Sequence, residues 1–269
     1  MGKAGAGPQA AKNERLTGMR REVKYLLSPI QAKAMMHQFA KRLPRKAGDR
    51  RASDYRVSVY LDTPERRLSR CELNTDPLSQ KLRIRDYYDL AGDVPIFGTF
   101  CFFETKLRVG DMVEKTRFPM PREMVPRILD GTCRLRDVIT PGPDFADFEN
   151  ICRNDLLMPL FIVHYRRFTL QDNAARLRIT FDDRLSYHTV CPDTLGTLNW
   201  CRRHLPPPIR LEPMYVVEVK SVGSPPSWVG DLLHNEQASD YSKFGVGVRE
   251  LVRRGLMEIP PDGTNAVAL

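Results

Sequence analysis

The sequence predicts an α+β fold in which eight antiparallel strands close into a β-barrel, or tunnel, with helices packed outside. Three observations lead to this prediction. About eight segments alternate polar and apolar residues with a period of two, which is typical of half-buried strands. A few segments instead combine capping residues with a 3.6-residue apolar period, which indicates helices. The polar positions of the strands are mostly Arg and Lys, which is unusual for a solvated sheet face.

The predicted strands combine this alternation with β-branched or aromatic residues. They cover residues 22–27, 55–62, 81–88, 99–108, 112–118, 161–170, 176–182 and 214–221. Because Gly110 and Asp111 stand between two of these runs, residues 108–111 are predicted to form a hairpin turn. The rest of the chain has few hairpin signals for so many strands, which favours a closed barrel or tunnel.

The clearest predicted helix follows Ser28, whose side chain can cap it, and Pro29, which suits the first helical position. Weaker helical patterns cover residues 122–129, 144–158, 193–204, 228–235 and 246–257. Three consecutive prolines at 206–208 predict a stiff connector rather than a domain boundary, because strand-like sequence follows at once.

Composition predicts a basic, soluble chain with one globular domain. The 269 residues include 42 Lys and Arg against 33 Asp and Glu, a net charge of +9. Residues 1–18 and 260–269 are predicted to be flexible tails around a domain at 19–259. The six cysteines lack C-x-x-C spacing, which is typical of reduced thiols in a cytoplasmic protein. No apolar run reaches the roughly 20 residues of a membrane helix, so no membrane segment is expected.

The charged residues of the predicted strands fall on one face of each strand. Lys81, Arg83 and Arg85, for example, alternate with Leu82 and Ile84. The other members are Glu22, Lys24, Glu104, Lys106, Arg108, Lys115, Arg117, Arg176, Arg178, Asp182, Glu218 and Lys220. A solvated outer face would explain the alternation. It would not explain the excess of Arg and Lys, because solvated faces mix charges with Ser, Thr, Asn and Gln.

If the strands close on themselves, this face lines a strongly cationic channel. Desolvated like charges repel, so such a channel needs an anion to fill it. Arg binds phosphate oxygens in a bidentate manner and Lys supplies point charges, so the predicted ligand is a phosphate chain. The glutamates Glu22, Glu104 and Glu218 are then predicted to bind a divalent ion, Mn²⁺ or Mg²⁺, that bridges them to phosphate.

A basic chain can also bind nucleic acid. However, these charges lie within strand alternation rather than in a stripe with stacking aromatic residues. The sequence also lacks a helix-turn-helix, an RNA-recognition signature and a zinc finger. Phosphate compounds rather than nucleic acids are therefore the expected partners, and the oligomeric state is left open.

Eight short runs occur in the order in which they occur in the VTC domain, the polyphosphate polymerase module of the vacuolar transporter chaperone complex. They are REVKY at 21–25, SVYLDT at 58–63, LRIR at 82–85, FETK at 103–106, EKTRF at 114–118, RITFD at 178–182, VEVK at 217–220 and SKF at 242–244. The chain resembles this family, part of the triphosphate tunnel metalloenzyme superfamily, from about residue 20 to residue 248. The resemblance implies a VTC-like tunnel that transfers the γ-phosphate of ATP onto polyphosphate with Mn²⁺ or a similar ion.

The resemblance also implies roles for individual residues. The implied catalytic residues are Arg83, Arg85, Lys106 and Arg178, which would hold the triphosphate, and Glu218, which would bind the metal. The phosphate-binding set adds Lys24, Lys115, Arg117, Arg167, Lys220, Ser242 and Lys243. The family motif selects Arg167 rather than Arg166. Arg20 stands where the hydrolase and cyclase branches of the superfamily carry Glu, which favours the polymerase branch.

Two other functions are compatible with the same residues. Water competes with the phosphate acceptor as a nucleophile, so the site could belong to a triphosphatase that hydrolyses ATP or inorganic triphosphate. A non-catalytic polyphosphate-binding module would need the same cationic face.

Overall fold

The computed structural model describes residues 20–44, 54–109, 112–138, 157–196 and 199–260. The strands are β1 (Arg20–Leu27), β2 (Asp54–Asp62), β3 (Leu78–Ala91), β4 (Val94–Phe97), β5 (Phe100–Val109), β6 (Met112–Pro121), β7 (Met158–Asp172), β8 (Leu177–His188), β9 (Pro208–Glu212) and β10 (Tyr215–Val222). The helices are α1 (Pro29–Ala40), α2 (Arg67–Leu73), α3 (Val125–Leu129), α4 (Pro192–Gly196), α5 (Ser227–Leu233) and α6 (Lys243–Arg253), with 3₁₀ turns at Arg122–Met124 and Leu135–Asp137.

The strands form one antiparallel sheet in the order β1-β10-β8-β7-β2-β3-β5-β6, with β4 added to β3 and β9 to β8. The end strands β1 and β6 are not paired with each other in the described ranges. The sheet nevertheless curls. Glu22 of β1, at one end of the order, interacts electrostatically with Lys106 of β5, the strand next to the other end, which shows that the two ends approach each other. The prediction of a closed barrel is wrong for this structure, which is an open half-barrel. Alternation specifies the faces of a strand, whereas closure depends on the tilt and stagger of the whole sheet.

Each of the eight predicted strands coincides with a strand of the sheet. The predicted hairpin is confirmed, since Val109 of β5 pairs directly with Met112 of β6. Gly110 and Asp111 themselves lie outside the described residues. Two further strands, β4 and β9, were not predicted, because four or five residues that include Pro95 or Pro208 do not show a clear alternation.

The first helix begins as predicted. The Ser28 hydroxyl accepts a hydrogen bond from the backbone nitrogen of Gln31, and the Gln31 side chain accepts one from the backbone nitrogen of Ser28. Residues 122–129 are helical as predicted, as a 3₁₀ turn followed by α3, whereas α4, α5 and α6 are shorter than predicted. Residues 144–156 of another predicted helix lie outside the described residues. Helix α2 was not predicted. Its first turn is held by the buried carboxylate of Asp62, which accepts hydrogen bonds from the backbone nitrogens of Leu68 and Ser69.

The apolar faces of the strands pack against helices on the convex side of the sheet. One buried cluster includes Ile84 and Phe103 of the sheet together with Ile128 of α3. A second cluster joins Phe39 of α1 to Phe181 of β8. The alternating charged residues are therefore left on the concave side, which is the placement that the sequence predicts. No helix within the described ranges is long and apolar enough to cross a membrane.

Helix α6 fills one end of the concave side with aromatic residues. The ring of Phe244 lies 5.4 Å from that of Tyr60 and 6.0 Å from that of Phe161. Gly247 approaches Phe161 so closely that a Cβ atom would come within 2.3 Å of the ring, so a residue without a side chain is needed there. This packing sets the first residue of α6, Lys243, against the charged part of the concave face.

Candidate functional site

Glu104 of β5 is buried at the centre of four basic side chains from the two flanking strands, β3 and β6. From β3, Arg83 Nη2 lies 2.6 Å and Arg85 Nη1 lies 3.4 Å from Glu104 Oε2. From β6, Lys115 Nζ lies 3.3 Å and Arg117 Nε lies 3.4 Å from Oε1. The strand register brings them together, because Arg83 and Arg117 stand directly opposite Glu104 on either side. These five residues are called the Glu104 cluster.

When Lys115 is protonated, the Glu104 cluster has four cationic groups for one carboxylate, an excess of three positive charges. Burial opposes ionisation of Glu104, but Arg85 and Arg83 hold its pKa well below the ordinary value. Burial lowers the pKa of Lys115 to about 7, although the negative charge of Glu104 raises the same pKa and offsets part of the effect. Because 48% of the Lys115 side chain is exposed, an anion can reach the cluster from solvent.

A second charged group, called the Glu218 cluster, contains Arg167, Asp182, Glu218, Lys220 and Lys243. Arg167 donates two hydrogen bonds to the fully buried carboxylate of Asp182, and Lys243 Nζ donates a third at 2.7 Å. Lys220 Nζ lies 3.1 Å from Glu218 Oε2, and Lys243 Nζ lies 3.7 Å from Oε1. Burial opposes ionisation of Glu218, but Lys220 and Arg167 hold its pKa well below the ordinary value.

The two clusters face one another across the concavity, and Lys106 lies between them. Burial lowers the pKa of Lys106, which interacts with Glu22 of β1 and Lys220 of β10 as well as with its neighbour Lys81. Lys220 Nζ lies 3.0 Å from Glu22 Oε2, so that one ammonium group contacts the carboxylates of both Glu22 and Glu218. Burial opposes ionisation of Glu22, but Lys220 lowers its pKa to about 2.

The remaining predicted residues border these clusters. Lys24 donates to the backbone oxygen of Tyr241 at 2.9 Å, and Arg178 stands opposite Lys220 in the register of β8 and β10. Ser242 caps α6 through the backbone nitrogen of Gly245 and accepts a hydrogen bond from Lys81 Nζ at 2.9 Å. The structure therefore brings the cations of the predicted catalytic and phosphate-binding sets to one concave surface. Arg176, which the alternation also included, lies in the turn before β8.

Arg166 and Arg167 point to different partners. Arg166 donates to Asp183, which also accepts from the Tyr215 hydroxyl, whereas Arg167 enters the Glu218 cluster. A bulge in the pairing of β7 with β8 between His164 and Arg166 accompanies this division. Only Arg167 of the two lies in the Glu218 cluster, and its role in phosphate binding stays a prediction.

Two tyrosines lie on the concave face, and the sequence leaves open whether they bind the phosphate chain or only pack. The Tyr60 hydroxyl accepts a hydrogen bond from Arg83 at 3.0 Å. Tyr165 is buried beside Arg85, Arg167 and Lys243; burial raises its pKa, but these cations outweigh that effect and bring it below the ordinary value. Its position two residues before Arg167 on the same strand is the pattern that could have indicated it.

The carboxylates of Glu22 and Glu218 fit a divalent ion that is completed by phosphate oxygens. No group of three or more His, Cys, Asp or Glu side chains suited to a metal occurs in the described part of the chain. Mg²⁺ and Mn²⁺ are commonly held by one or two carboxylates together with substrate phosphate, so two carboxylates are enough. Thr180 stands opposite Glu218 and has a buried hydroxyl without a hydrogen-bond partner, which leaves an oxygen for a ligand. Metal binding by Glu104 stays a prediction. The four cationic side chains around Glu104 would compete with a metal ion for its carboxylate.

Asp182→Asn is expected to lower the free energy of unfolding by about 3–5 kcal/mol, because Arg167 and Lys243 would lose a buried charged partner. Urea unfolding at pH 7 measures the change.

Burial raises the pKa of Asp182, but the positive charges of Arg167 and Lys243 outweigh the effect of burial, so the pKa of Asp182 in the folded protein is depressed. The stabilisation is therefore present above the unfolded pKa of about 4 and is lost as the pH falls through the folded value. Asp193→Asn changes an exposed carboxylate and is the control; equal stability of both variants would contradict the prediction.

Comparison with known proteins places the chain in a family. The sequence matches the family model of the VTC domain over residues 19–252, so the chain belongs to the VTC domain family. That match covers every strand of the sheet and both charged clusters. A search of curated proteins found no match to the sequence.

Two solved structures can be superposed on most of the chain. A proposed adenylate cyclase from Bacillus halodurans gives a TM-score of 0.44 at 12% identity, over 92% of this chain and 94% of that chain. A proposed adenylate cyclase from Vibrio parahaemolyticus gives a TM-score of 0.40 at 12% identity, over 84% of this chain and 97% of that chain.

Proposed function

We propose that the chain is a metal-dependent polyphosphate polymerase that transfers the γ-phosphate of ATP onto a growing polyphosphate chain. The observation that carries this proposal is the Glu104 cluster, which has an excess of positive charge and faces a carboxylate-containing cluster across one concave surface. A triphosphate supplies the negative charge that the first cluster lacks. The carboxylates of the second cluster can hold a divalent ion against the same phosphates. Membership of the VTC domain family supports the proposal.

Phosphoryl transfer requires positioning and charge stabilisation more than covalent chemistry from the protein. Arg83 and Arg85 would bind the non-bridging oxygens of the triphosphate, while the Glu104 carboxylate holds both guanidinium groups in position. Lys106 and Arg178 would contact the same phosphates from the middle and the β8 side of the concavity. These fixed charges stabilise the negative charge that develops on the transferred group.

The acceptor needs no strong base, because the terminal phosphate of a polyphosphate chain is already ionised at pH 7. Lys24, Lys220 and Lys243, with Arg167, would hold the acceptor beside the Glu218 cluster. Glu218, with Glu22, would hold the Mn²⁺ or Mg²⁺ ion, which supplies Lewis-acid stabilisation of phosphate oxygens when bound.

A triphosphatase that hydrolyses ATP or inorganic triphosphate is the second candidate. The aromatic packing of α6 against Tyr60 and Phe161 favours it, because this packing fills one end of the concave side. A long product would then have to leave through the other end or along the open edge of the sheet.

Incubation of the purified protein with γ-labelled ATP and Mn²⁺, followed by gel electrophoresis, distinguishes the candidates. A polymerase produces a ladder of labelled polyphosphate, whereas a triphosphatase releases only labelled phosphate. A protein that binds polyphosphate but leaves ATP unchanged would be a non-catalytic module, and the proposed activity would then be wrong.

Binding of inorganic triphosphate is expected to weaken as the pH rises through about 7, because Lys115 must be protonated to contribute its charge. A bound anion stabilises the protonated form, so binding takes up a proton and is favoured at lower pH. Lys115→Arg carries a permanent charge and should show a flatter pH dependence of the dissociation constant between pH 6 and 8. Because ionisation of the ligand affects both proteins equally, identical pH profiles would rule out titration of Lys115.

A further inference from the structure

A group of aromatic and guanidinium side chains lies next to the Glu104 cluster on the same concave face. The Arg117 guanidinium carbon lies 3.5 Å from the ring centre of Phe102 and 5.2 Å from that of Tyr87. The two rings meet edge to face, with 5.8 Å between their centres, and Arg117 donates a hydrogen bond to the Tyr87 hydroxyl at 2.7 Å. Arg56, held by Asp54, covers Tyr87 at 5.2 Å. Tyr87, Phe102, Arg117 and Arg56 are called the stacking cluster.

Register fixes the distance between the stacking cluster and the phosphate-binding cations. Tyr87 comes two residues after Arg85 on β3, and Phe102 comes two residues before Glu104 on β5. Both rings therefore point to the concave side, like those charged residues. Two residues of a strand span about 7 Å. Arg117 belongs to both groups, because its Nε lies 3.4 Å from Glu104 while its guanidinium carbon lies above Phe102. A ligand with its phosphates at Arg83 and Arg85 therefore reaches the rings with its next group.

The rings are not part of the hydrophobic core. Tyr87 and Phe102 are absent from both buried apolar clusters in the described residues, and each is half-buried. Of the Arg117 side chain, 40% is exposed, and Phe100, next on the same face of β5, is 55% exposed. Planar, partly exposed surfaces beside a phosphate site are suited to a flat, aromatic ligand group, since nucleobases stack on aromatic rings and on Arg.

We propose that the stacking cluster binds the nucleobase of a nucleoside triphosphate whose phosphates lie in the Glu104 cluster. This inference rests on the proposed function, in which ATP is the phosphate donor, and adds to it the side chains that bind the base. Nucleoside triphosphates are then preferred donors over inorganic triphosphate. Stacking contacts any base through its π face, so the subsite accepts different bases.

The test compares two probes that share the phosphates and differ in the base. Binding of adenosine 5′-(β,γ-imido)triphosphate and of inorganic triphosphate is measured by calorimetry, with Mg²⁺, for the wild-type chain, Phe102→Leu and Tyr87→Leu. Both variants keep an apolar side chain but lose the ring. Each is expected to weaken binding of the nucleotide about 5- to 150-fold more than binding of inorganic triphosphate. Both rings contact Arg117, so any loss of inorganic triphosphate binding measures the effect of the variant on the phosphate site. Inorganic triphosphate thus reports whether the fold and the phosphate site are intact.

The outcomes separate the two proposals. If the wild-type chain binds neither probe, the proposed phosphate site is wrong, and the base subsite with it. If it binds both, but the variants change the two affinities equally or not at all, only the base subsite is overturned. A measurement on the wild-type chain decides the matter even if the variants do not fold: the fluorescence of 2-aminopurine riboside triphosphate should fall on binding, because stacking quenches it. Unchanged emission from the bound probe overturns the inference.

Discussion

Arg83→Ala is expected to slow phosphate transfer from ATP about 10²–10³-fold, with little change in the fold. Arg83 makes two hydrogen bonds to Glu104, at 2.8 and 2.6 Å, and one to the Tyr60 hydroxyl. Burial disfavours its charge, but Glu104 raises its pKa further above the ordinary value, so the guanidinium is permanently ionised. Its removal takes one positive charge and a bidentate donor from the centre of the phosphate site. Single-turnover transfer of labelled phosphate with Mn²⁺ measures the loss.

The matched control is Arg127→Ala, which removes the same charge from an exposed position on α3. It should retain the wild-type rate. Arg83→Lys should recover only part of the activity, because an ammonium group lacks the planar pair of donors. Glu104 keeps Arg85, Lys115 and Arg117 as partners in the alanine variant, so the thermal unfolding midpoint should stay close to that of the wild type. A folded Arg83→Ala protein with the full transfer rate would remove Arg83 from the site.

Glu218→Gln is expected to raise the Mn²⁺ concentration needed for half-maximal activity at least about 100-fold, since loss of even a supporting residue of a metal site costs up to this much. The substitution preserves shape and removes the negative charge. Without it, Lys220 and Lys243 still have Glu22 and Asp182 as partners, so the surrounding structure can persist. Activity is measured as a function of Mn²⁺ concentration at saturating ATP.

Glu123→Gln, an exposed carboxylate in the 3₁₀ turn before α3, is the control for loss of one negative charge. The Mn²⁺ dependence of that variant should be unchanged. If Glu218→Gln lowers the rate but leaves the Mn²⁺ dependence as in the wild type, Glu218 acts on the neighbouring cations rather than on a metal. Wild-type rate and Mn²⁺ dependence together would exclude both roles.

Much of the concave face could be predicted because strand alternation is a local property. Arg83 and Arg85 alternate with Leu82 and Ile84, and the structure places the first pair in the Glu104 cluster and buries the second pair in the core. The cap at Ser28 was equally predictable, because its partners lie within three residues. Helix α2 was not, since its first turn depends on a carboxylate from the end of β2.

The pairing of the charges could not be predicted from one sequence. Glu104 meets Arg83 and Arg117 only because β3 and β6 flank β5 in a particular register. Asp182 joins Arg167 to Lys243, which is 61 residues away in the chain. Tyr165 acquires its three cationic neighbours, Arg85, Arg167 and Lys243, only after β3, β7 and α6 have come together. Such contacts depend on register and on the approach of distant segments, which alternation does not specify.

The sequence alone therefore determined which side chains face inward, the excess of positive charge among them and the family to which the chain belongs. The tertiary structure decided that the sheet stays open between β1 and β6, that α6 fills one end, and that Arg117 connects the phosphate site to aromatic rings. The physical reason is the range of the interactions. Strand faces follow from neighbouring residues, whereas closure and charge pairing follow from the curl of a sheet that pairs distant parts of the chain. Lys24 of β1 and Glu218 of β10, for example, are paired although they are 194 positions apart in the sequence.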